Sequence, residues 1–374
     1  MPLSRLFPLG LAALMAGAAP AAIAQETVRS KAADFRIVEV ATDLEHPWGL
    51  AFLPDGRMLV TERPGRLRIV GADGSLSAPL TGLPEIYDSG QGGLLDVILD
   101  PDFASNSTIY FSDSPPVERR GTTRIAKAKL TDTGLEDVTV LFTATTPGSN
   151  GRHFGSRLVI GTDGYLYASI GDHGADDTAQ DLSLHSGKII RITKDGAPAP
   201  DNPFLGTAGA LPEIYTYGNR NPQGMTLTPE GELWANEHGP RGGDEVNVIT
   251  AGANYGWPVV THGRAYSGLP MGEGKEKEGM TPPIQVYVPS IAPSGMAFYQ
   301  GDAFKGWQGD LFIGALALTH LNRLDMEDGK IVGEERLLED KGWRIRDVRS
   351  GPDGFLYLLT DAPDGKLVRL EPAG

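Results

Sequence analysis

The chain has 374 residues and contains no cysteine. A fold without disulfides must be held together by burial of apolar side chains, and a chain of this length can bury a large core. Without cysteine there are no thiolate zinc sites and no CxxC redox motifs, and neither an HExxH motif nor EF-hand spacing occurs. The sequence therefore predicts neither a zinc site nor a sensor-type calcium site.

Basic residues are in the minority, since 33 Lys and Arg stand against 48 Asp and Glu for a formal net charge of −15. A surface of this sign repels nucleic acid and anionic lipid, so neither is predicted as a partner. After the first 24 residues, no stretch approaches the run of about 20 apolar residues that a membrane span requires. We therefore expect no membrane span.

The first 24 residues are typical of a secretory signal peptide. Arg5 provides a positive charge, Leu6 to Ala19 are mostly apolar, and Ala22-Ile23-Ala24 forms a cleavage pattern. The apolar stretch is too short for a spanning helix with anchoring flanks. The predicted mature chain, residues 25–374, is secreted, and we expect a bacterial periplasm as its compartment.

Glycine and proline are abundant, at 49 and 28 residues, which favours many strands joined by tight turns. One sequence motif, a turn followed by a short segment with the alternating pattern of a β-strand, recurs six times. The copies are spaced roughly 45 to 80 residues apart, as in propeller blades with loop insertions. The turns are Pro54-Asp55-Gly56, Pro101-Asp102, Thr162-Asp163-Gly164, Pro229-Glu230-Gly231, Gly309-Asp310 and Pro352-Asp353-Gly354.

This repeat predicts an all-β fold, a single six-bladed β-propeller domain with four-stranded antiparallel blades over residues 25–374. The last strand, Leu367 to Leu370, is predicted to share a blade with the N-terminal segment Phe35 to Ala41. That pairing would close the ring without disulfides.

A propeller fold does not by itself indicate a function. The repeat alone is equally consistent with an enzyme and with a scaffold that only binds other proteins. Five polar stretches interrupt the repeats. Each lies shortly before or after an inner strand, so we expect all five to open on one end of the central channel. They are Ser89–Leu95, Arg152–Leu158, Tyr217–Gly224, Glu237–Glu245 and Trp343–Val348.

These five stretches, together with Asn254-Tyr255-Gly256-Trp257-Pro258, resemble the soluble glucose and aldose sugar dehydrogenases that depend on pyrroloquinoline quinone (PQQ). The resemblance runs from about His46 to Leu370, and the combination of motifs, rather than any one of them, carries it. It implies oxidation of the C1 hydroxyl of aldose sugars to lactones, with PQQ and Ca²⁺ as cofactors and an external electron acceptor.

The resemblance also assigns catalytic roles. Taken alone, a loop histidine such as His153 is more often a surface or hydrogen-bonding residue, although imidazole can take a proton near neutral pH. In the family this position is the general base that removes the proton of the sugar's C1 hydroxyl. The resemblance assigns Arg220 to the carbonyl region of the quinone, where a fixed guanidinium suits a group that becomes electron-rich.

The remaining cofactor residues follow from the same comparison of motifs. Arg344 and Arg346, two apart on an extended segment, should point the same way and can pair with carboxylates. PQQ carries three carboxylates, so the resemblance places these arginines at the cofactor. It also places Asn221 and Gln91 there.

The segment from Glu237 to Tyr255 is rich in glycine, proline and acid, which suits a hard cation, although composition alone favours an ordinary turn. The resemblance implies that the carbonyls of Gly239 and Pro240 hold a calcium ion next to PQQ. Glu245 and Tyr255 match the ligands of a second, structural calcium, with Asp244 adjacent.

Two positions differ from the glucose-oxidising pattern. Ala317 stands where the family often has a lysine, and Val288 stands where an aromatic residue is expected to wall the sugar pocket. These differences favour broad aldose specificity. Two alternative functions stay open from the sequence, a calcium-dependent propeller lactonase or related hydrolase and a binding propeller without a cofactor.

Overall fold

The computed structural model describes residues 26–117, 120–146 and 151–373, and the predicted signal peptide lies outside the described residues. Helical structure in these ranges is confined to one short α-helix and three 3₁₀ helices: α1 (Phe103–Asn106), Asp176–Gln180, Lys305–Trp307 and Glu339–Lys341. None of the helices in the described ranges has the length and apolar character needed to cross a membrane.

The strands run through six antiparallel blades in chain order. Two strands precede blade 1: β1 (Thr27–Val28) and β2 (Phe35–Leu44). Blade 1 contains β3 (Pro47–Phe52), β4 (Met58–Glu62) and β5 (Arg66–Val70). Blade 2 contains β6 (Leu94–Leu99) and β7 (Thr108–Asp113), then, after the small hairpin β8 (Pro116–Val117) and β9 (Arg120–Gly121), β10 (Arg124–Leu130) and β11 (Leu135–Thr143).

The other four blades follow the same plan. Blade 3 contains β12 (Leu158–Ile160), β13 (Leu166–Ile170), β14 (Lys188–Ile192) and β15 (Ile214–Tyr217), and blade 4 contains β16 (Pro222–Leu227), β17 (Leu233–Glu237), β18 (Asp244–Val248) and β19 (Gln285–Tyr287). Blade 5 contains β20 (Pro293–Phe298), β21 (Leu311–Ala315), β22 (Leu321–Glu327) and β23 (Lys330–Leu337). Blade 6 contains β24 (Ile345–Ser350), β25 (Leu356–Thr360) and β26 (Gly365–Pro372).

The predicted six-bladed propeller is confirmed, and all six predicted turns lie between the first and second strands of a blade. Four blades have the expected four strands. Blade 1 has three, because after Val70 the chain makes only an isolated bridge to Leu76. Blade 6 has five, because β2 pairs with β26 and β1 adds a further outer strand.

The ring is closed by the N-terminal strand, as the sequence predicts. β2 runs antiparallel to β26, with Ile37 opposite Leu370 and Ala41 opposite Leu367. At the start of β2, Phe35 is fully buried and meets the edge of the Trp307 ring at 5.5 Å between centroids. Hydrogen bonding and aromatic packing therefore both hold the closing strand.

Buried apolar clusters lie between neighbouring blades and hold them side by side. The cluster between blades 1 and 2, for example, contains Leu59, Ile69, Leu94 and Phe111. Packing two blades together buries a large apolar area, and each Å² removed from water stabilises the fold by about 25 cal/mol. These interfaces provide the cohesion that disulfides supply in many exported proteins.

Four charged side chains fill the centre of the channel. The Nη1 atom of Arg157 lies 3.0 Å from both Asp96 Oδ1 and Asp347 Oδ1. Arg349 pairs with the same two carboxylates, each at 2.9 Å. The Nε atom of Arg157 also donates to the carbonyl of Gln223 at 2.9 Å. This network, which we call the channel ion network, joins blades 2, 3, 4 and 6.

Blades 1 and 5 approach the channel ion network through glycine. A Cβ atom on Gly49 would lie 2.8 Å from Asp96 Oδ1, and one on Gly295 would lie 2.0 Å from Asp347 Oδ1. Leu50 of blade 1 donates its backbone N–H to Asp347 Oδ2 at 3.1 Å. All six innermost strands thus meet around these charges.

The ring closure predicts a large stability effect of Phe35→Ala. Removing this buried ring leaves a cavity against Trp307, and we expect the free energy of unfolding to fall by about 3–5 kcal/mol. Urea unfolding followed by tryptophan fluorescence measures the change. The matched control is Val332→Ala on an exposed strand position, 52% accessible, where a change within about 0.5 kcal/mol is expected. Equal effects of the two substitutions would contradict the role given to β2.

Candidate active site

A cavity of about 560 Å³ opens at the end of the channel where the first strand of each blade begins and the second ends. All six blades contribute to its wall. One residue from each blade in turn is Trp48, Gln91, Phe154, Gln223, Ala317 and Arg346. The prediction that the polar stretches open on one end of the channel therefore agrees with the geometry.

His153 lies beside this cavity, in the loop before β12. Its Nδ1 atom is 2.6 Å from Asp172 Oδ1, and its backbone N–H donates to Gln91 Oε1 at 2.8 Å. The side chain is 9% exposed, and the backbone has φ of 57°, a conformation uncommon outside glycine. The loop therefore holds the ring in one defined orientation.

Asp172 follows β13 and is fully buried. Its Oδ1 also accepts from the Gly174 backbone N–H at 2.7 Å, and its Oδ2 accepts from Trp257 Nε1 at 2.9 Å. Burial raises the pKa of this carboxyl, but the hydrogen bond and charge of His153 outweigh burial and the pKa is lowered overall. An ionised Asp172 keeps the proton of His153 on Nδ1, which leaves Nε2 as the nitrogen that can accept a proton.

Arg220 lies close to this pair, and its backbone carbonyl accepts from the Asp172 backbone N–H at 2.8 Å. Its Nη1 atom donates to the carbonyl of Gly239 at 2.9 Å, and its guanidinium stacks over the Trp257 ring at 5.1 Å. The Nε atom is buried and has no hydrogen-bond partner in the described chain. A buried, unsatisfied donor of this kind fits a site that takes an electron-rich ligand.

Asn221 connects the His153 loop to the arginines of blade 6. Its Oδ1 accepts from the Gly155 backbone N–H at 3.1 Å and from Gln223 Nε2 at 3.3 Å. The Oε1 atom of Gln223 in turn accepts from Arg346 Nη1 at 2.9 Å. The chain of amides thus fixes Asn221 in place.

Arg344 and Arg346 point the same way, as predicted, and both reach Asp361 Oδ2 at 3.2 Å. His46 Nδ1 lies 2.8 Å from the other oxygen of this carboxylate. Burial raises the pKa of Asp361, but Arg346, His46 and Arg344 together outweigh it and the pKa is strongly lowered. The carboxylate therefore stays ionised and aligns the two arginines along the cavity wall.

The predicted carbonyl ligands of calcium, Gly239 and Pro240, lie in the loop after β17. The carbonyl of Gly239 already accepts from Arg220, but a carbonyl oxygen has a second lone pair that a cation can use. Asp244 has a different set of contacts, because its two oxygens accept hydrogen bonds from the Gly239 backbone and from residues 290–292. This side chain holds the loops together, and its role as a metal ligand stays a prediction.

Glu245, which is half-buried, lies opposite the buried Glu237 on the neighbouring strand. The Nδ2 atom of Asn247 lies 3.3 Å from Glu245 Oε2 and 3.4 Å from Glu237 Oε1, while its Oδ1 is buried without a partner. Burial raises the pKa of both carboxyls, and the charge of Glu237 raises the pKa of Glu245 further. Tyr255 lies at the same cavity as Glu245 and donates its hydroxyl to the carbonyl of Val248 at 2.6 Å.

Two adjacent carboxyls and an unsatisfied amide oxygen suit a cation that takes oxygen ligands. Across the described residues, no three His, Asp or Glu side chains converge as a metal-binding group. A calcium ion at either predicted site would therefore depend on backbone carbonyls, as the sequence predicts for Gly239 and Pro240.

The two departures from the family pattern are now located. Ala317 lines the cavity and brings no charge to it. Val288 is 67% exposed, lies near Gly242 and is not among the residues that line the cavity. Of the two positions, only Ala317 therefore leaves space at the cavity where a larger side chain would narrow it.

Three further residues belong to the site although no motif led to them. Asp172 and Asp361 each follow the second strand of a blade, as other predicted site loops do. Their position in the repeat could therefore have predicted that they lie at the site. Arg63 lies at the equivalent point of blade 1 and lines the cavity. Asp172 pairs with His153, and Asp361 pairs with Arg344 and Arg346. These pairs join residues that are distant in the sequence, so no local sequence pattern predicts them.

The chain is similar to known proteins over most of its length. Residues 44–369 match the family model described as glucose/sorbosone dehydrogenase. Aldose sugar dehydrogenase YliI of Escherichia coli strain K12 is 46% identical over 343 residues, which cover 90% of this chain and 92% of that protein.

Two solved structures are similar over nearly the whole chain. The soluble aldose sugar dehydrogenase from Escherichia coli in its apo form is 44% identical with a TM-score of 0.88, covering 90% of this chain and 99% of that one. The PQQ-bound aldose sugar dehydrogenase from Streptomyces coelicolor is 30% identical with a TM-score of 0.76, covering 91% and 98%. The chain therefore belongs to the glucose/sorbosone dehydrogenase family and is an oxidoreductase.

Proposed function

We propose that this protein oxidises the C1 hydroxyl of aldose sugars to lactones with PQQ and Ca²⁺, and passes the electrons to an external acceptor. The observation that carries the proposal is the His153–Asp172 pair, at 2.6 Å, beside a cavity lined by arginines. This arrangement combines a base whose free nitrogen is defined with a cationic wall for an anionic cofactor.

The proton step falls to His153. Asp172 keeps the Nδ1 proton in place, so Nε2 takes the proton of the C1 hydroxyl, and the resulting imidazolium is stabilised by the buried carboxylate. The Trp257 and Gly174 hydrogen bonds hold that carboxylate in position. When bound, PQQ supplies the acceptor for the hydride that leaves C1, which completes a two-electron oxidation.

The residues proposed to hold PQQ are those with unsatisfied or cationic groups at the cavity. Arg344 and Arg346 offer guanidinium groups to the carboxylates, and Arg220 polarises the carbonyl region of the quinone. Asn221 and Gln91 supply amides next to the His153 loop. The PQQ-bound relative from Streptomyces coelicolor, 30% identical, supports PQQ as the cofactor.

We also propose two calcium sites. The carbonyls of Gly239 and Pro240 would hold the ion near PQQ, where a cation acts as a Lewis acid. Glu245, with Tyr255, would hold a structural ion, and the neighbouring carboxyls of Glu245 and Glu237 beside Asn247 support this second site.

Broad aldose specificity is proposed from the small residue Ala317 and the exposed Val288. We further propose that residues 1–24 are removed and that the mature chain works in a bacterial periplasm. The sequence of the first 24 residues supports this location.

The direct test is dye-linked oxidation of a panel of aldoses by apoprotein supplied with Ca²⁺, before and after addition of PQQ. We expect activity only with PQQ, and we expect kcat/KM to fall by roughly 10²–10⁴-fold in His153→Ala, because the base is lost. Calcium-dependent lactone hydrolysis without PQQ would instead support a lactonase. Neither activity, together with no shift in thermal stability on adding PQQ, would support a binding propeller.

Asp172→Asn should lower kcat by about 10²–10⁴-fold with a small change in KM for the sugar, because an amide no longer fixes the tautomer of His153. Steady-state kinetics of the PQQ-loaded variant measures both constants. Asp132→Asn, at a side chain 80% exposed, is the matched control and should keep wild-type kcat. A wild-type kcat in Asp172→Asn would argue against the pair as the proton acceptor.

Calcium added to chelator-treated apoprotein should raise the free energy of unfolding, by about 2.7 kcal/mol when free Ca²⁺ is 100 times Kd. Glu245→Gln should weaken this stabilisation, whereas Glu230→Gln on an exposed turn should not. Urea unfolding with Ca²⁺, with Mg²⁺ and with chelator measures the effect. Stabilisation that is the same in Glu245→Gln and wild type would rule out Glu245 as a ligand.

A further inference from the structure

The cavity carries an excess of positive charge on a protein whose net charge is −15. Arg63, Arg344 and Arg346 line it, and Asp361 is the one carboxylate among the described lining residues. A concave, partly enclosed wall of one sign concentrates the field inside it. The cavity is therefore built for a ligand with more than one negative charge.

Asp361 is already engaged by three other groups. Arg344 and Arg346 both contact its Oδ2, and His46 contacts its Oδ1. Arg63, in contrast, forms no ion pair with any Asp or Glu in the described parts of the chain; its Nη1 donates to the carbonyl of Gly90. Arg63 therefore brings an uncompensated charge to the cavity.

The neighbours of Arg63 in the same hairpin behave differently. Arg66 and Arg68 both pair with the buried carboxylate of Glu62, which immediately precedes Arg63. Arg63 occupies the position after β4, so it faces the channel end where the cavity opens and cannot share that carboxylate. Its lack of an acidic partner among the described residues therefore follows from its position and not from a shortage of acids nearby.

The backbone of blade 2 fixes the stem of Arg63. A Cβ atom on Gly93 would lie 2.6 Å from Arg63 Cγ and 2.0 Å from its carbonyl oxygen, so glycine is required there for the arginine to lie against the loop. The backbone N–H of Leu94 donates to that same carbonyl at 3.0 Å. A guanidinium held in this way loses little conformational freedom when it binds an anion.

We propose that Arg63 is a further binding residue, which takes a carboxylate of the bound cofactor and forms a three-arginine anion site with Arg344 and Arg346. This inference rests on the proposed function. One of the five N–H donors of Arg63 is used by Gly90, and the others are available for a carboxylate. Arg63 thereby supplies a cofactor cation that Ala317 cannot supply.

Arg63 could instead act only on the loop that it contacts. It holds the Gly90 carbonyl, and the next residue, Gln91, accepts from the His153 backbone N–H. A purely positioning role would change the rate at His153 and leave the affinity for the cofactor unchanged. The test therefore needs a binding measurement that is independent of turnover.

The experiment is titration of full-length mature apoprotein with PQQ in the presence of Ca²⁺, followed by quenching of tryptophan fluorescence at low and high ionic strength. Arg63→Gln should raise Kd by roughly tenfold to a hundredfold, the range of a charge-assisted hydrogen-bonded pair. Arg63→Lys should restore part of the affinity. The salt dependence of Kd should become weaker in Arg63→Gln, because one ionic contact is lost.

Arg57→Gln is the matched control. Arg57 pairs with Asp55 and Asp132 on the protein surface, and its loss changes the net charge by the same amount. Its Kd for PQQ should stay within twofold of wild type. Thermal unfolding of each variant confirms that the fold is retained, and Arg63→Lys provides a second readout if Arg63→Gln does not fold.

Three results would overturn the inference. PQQ binding equal to wild type in both Arg63 variants would remove Arg63 from the anion site. An unchanged Kd with a lowered kcat would reduce Arg63 to a positioning residue for the His153 loop. An unchanged Kd with a raised KM for acidic aldoses would assign the guanidinium to the substrate. Failure of the wild-type protein to bind PQQ would instead reject the proposed function itself.

Discussion

The channel ion network is the interaction on which the rest of the ring depends. Its two arginines and two aspartates are paired with one another in the protein interior: Arg157 and Arg349 with Asp96 and Asp347. An unpaired charge in this position would destabilise the fold, because it would have lost its hydration without gaining a partner. Removing one member leaves its partners uncompensated, so the four act as a unit. Because the four residues come from blades 2, 3 and 6, this unit ties those three blades together at the channel.

Trp48 connects the channel ion network to the candidate active site. The guanidinium of Arg157 lies 4.3 Å from the Trp48 ring, and that of Arg346, at the cavity, lies 5.7 Å from it. One aromatic ring thus touches a structural arginine and a proposed cofactor arginine. The positions of His153, Arg220 and Arg346 relative to one another depend on blades 3, 4 and 6 keeping their spacing, since each comes from a different blade.

The sequence predicted the architecture well, because a propeller repeats one local pattern. The turn before each second strand was visible six times, and the pairing of Leu367 to Leu370 with the N-terminal segment was also predicted. The five-stranded and three-stranded blades were not predicted, since Thr27–Val28 and the segment after Val70 lack any distinctive alternation.

The site was predicted in part. The loops bearing His153, Arg220 and Arg346 were identified from their composition and from the family resemblance, and the structure brings them to one cavity. Asp172 and Asp361 were missed because an acid after a strand is unremarkable until its partner from another part of the chain is known. The pairing of Glu237 with Glu245 was missed for a similar reason, since the two residues face each other from neighbouring strands.

The closure by β2 has a consequence for how the chain acquires its structure during synthesis. β2 is made early and β26 last, so the blades between them can assemble while the ring is still an open arc. Until β26 arrives, the edge of β2 that pairs with it is open, and an unpaired edge is a template for association with other chains. The last contact to form joins the most distant parts of the sequence, and such contacts are slow. Completion of the ring, and with it of the cavity that all six blades share, therefore has to wait for β26 and is a late event in folding.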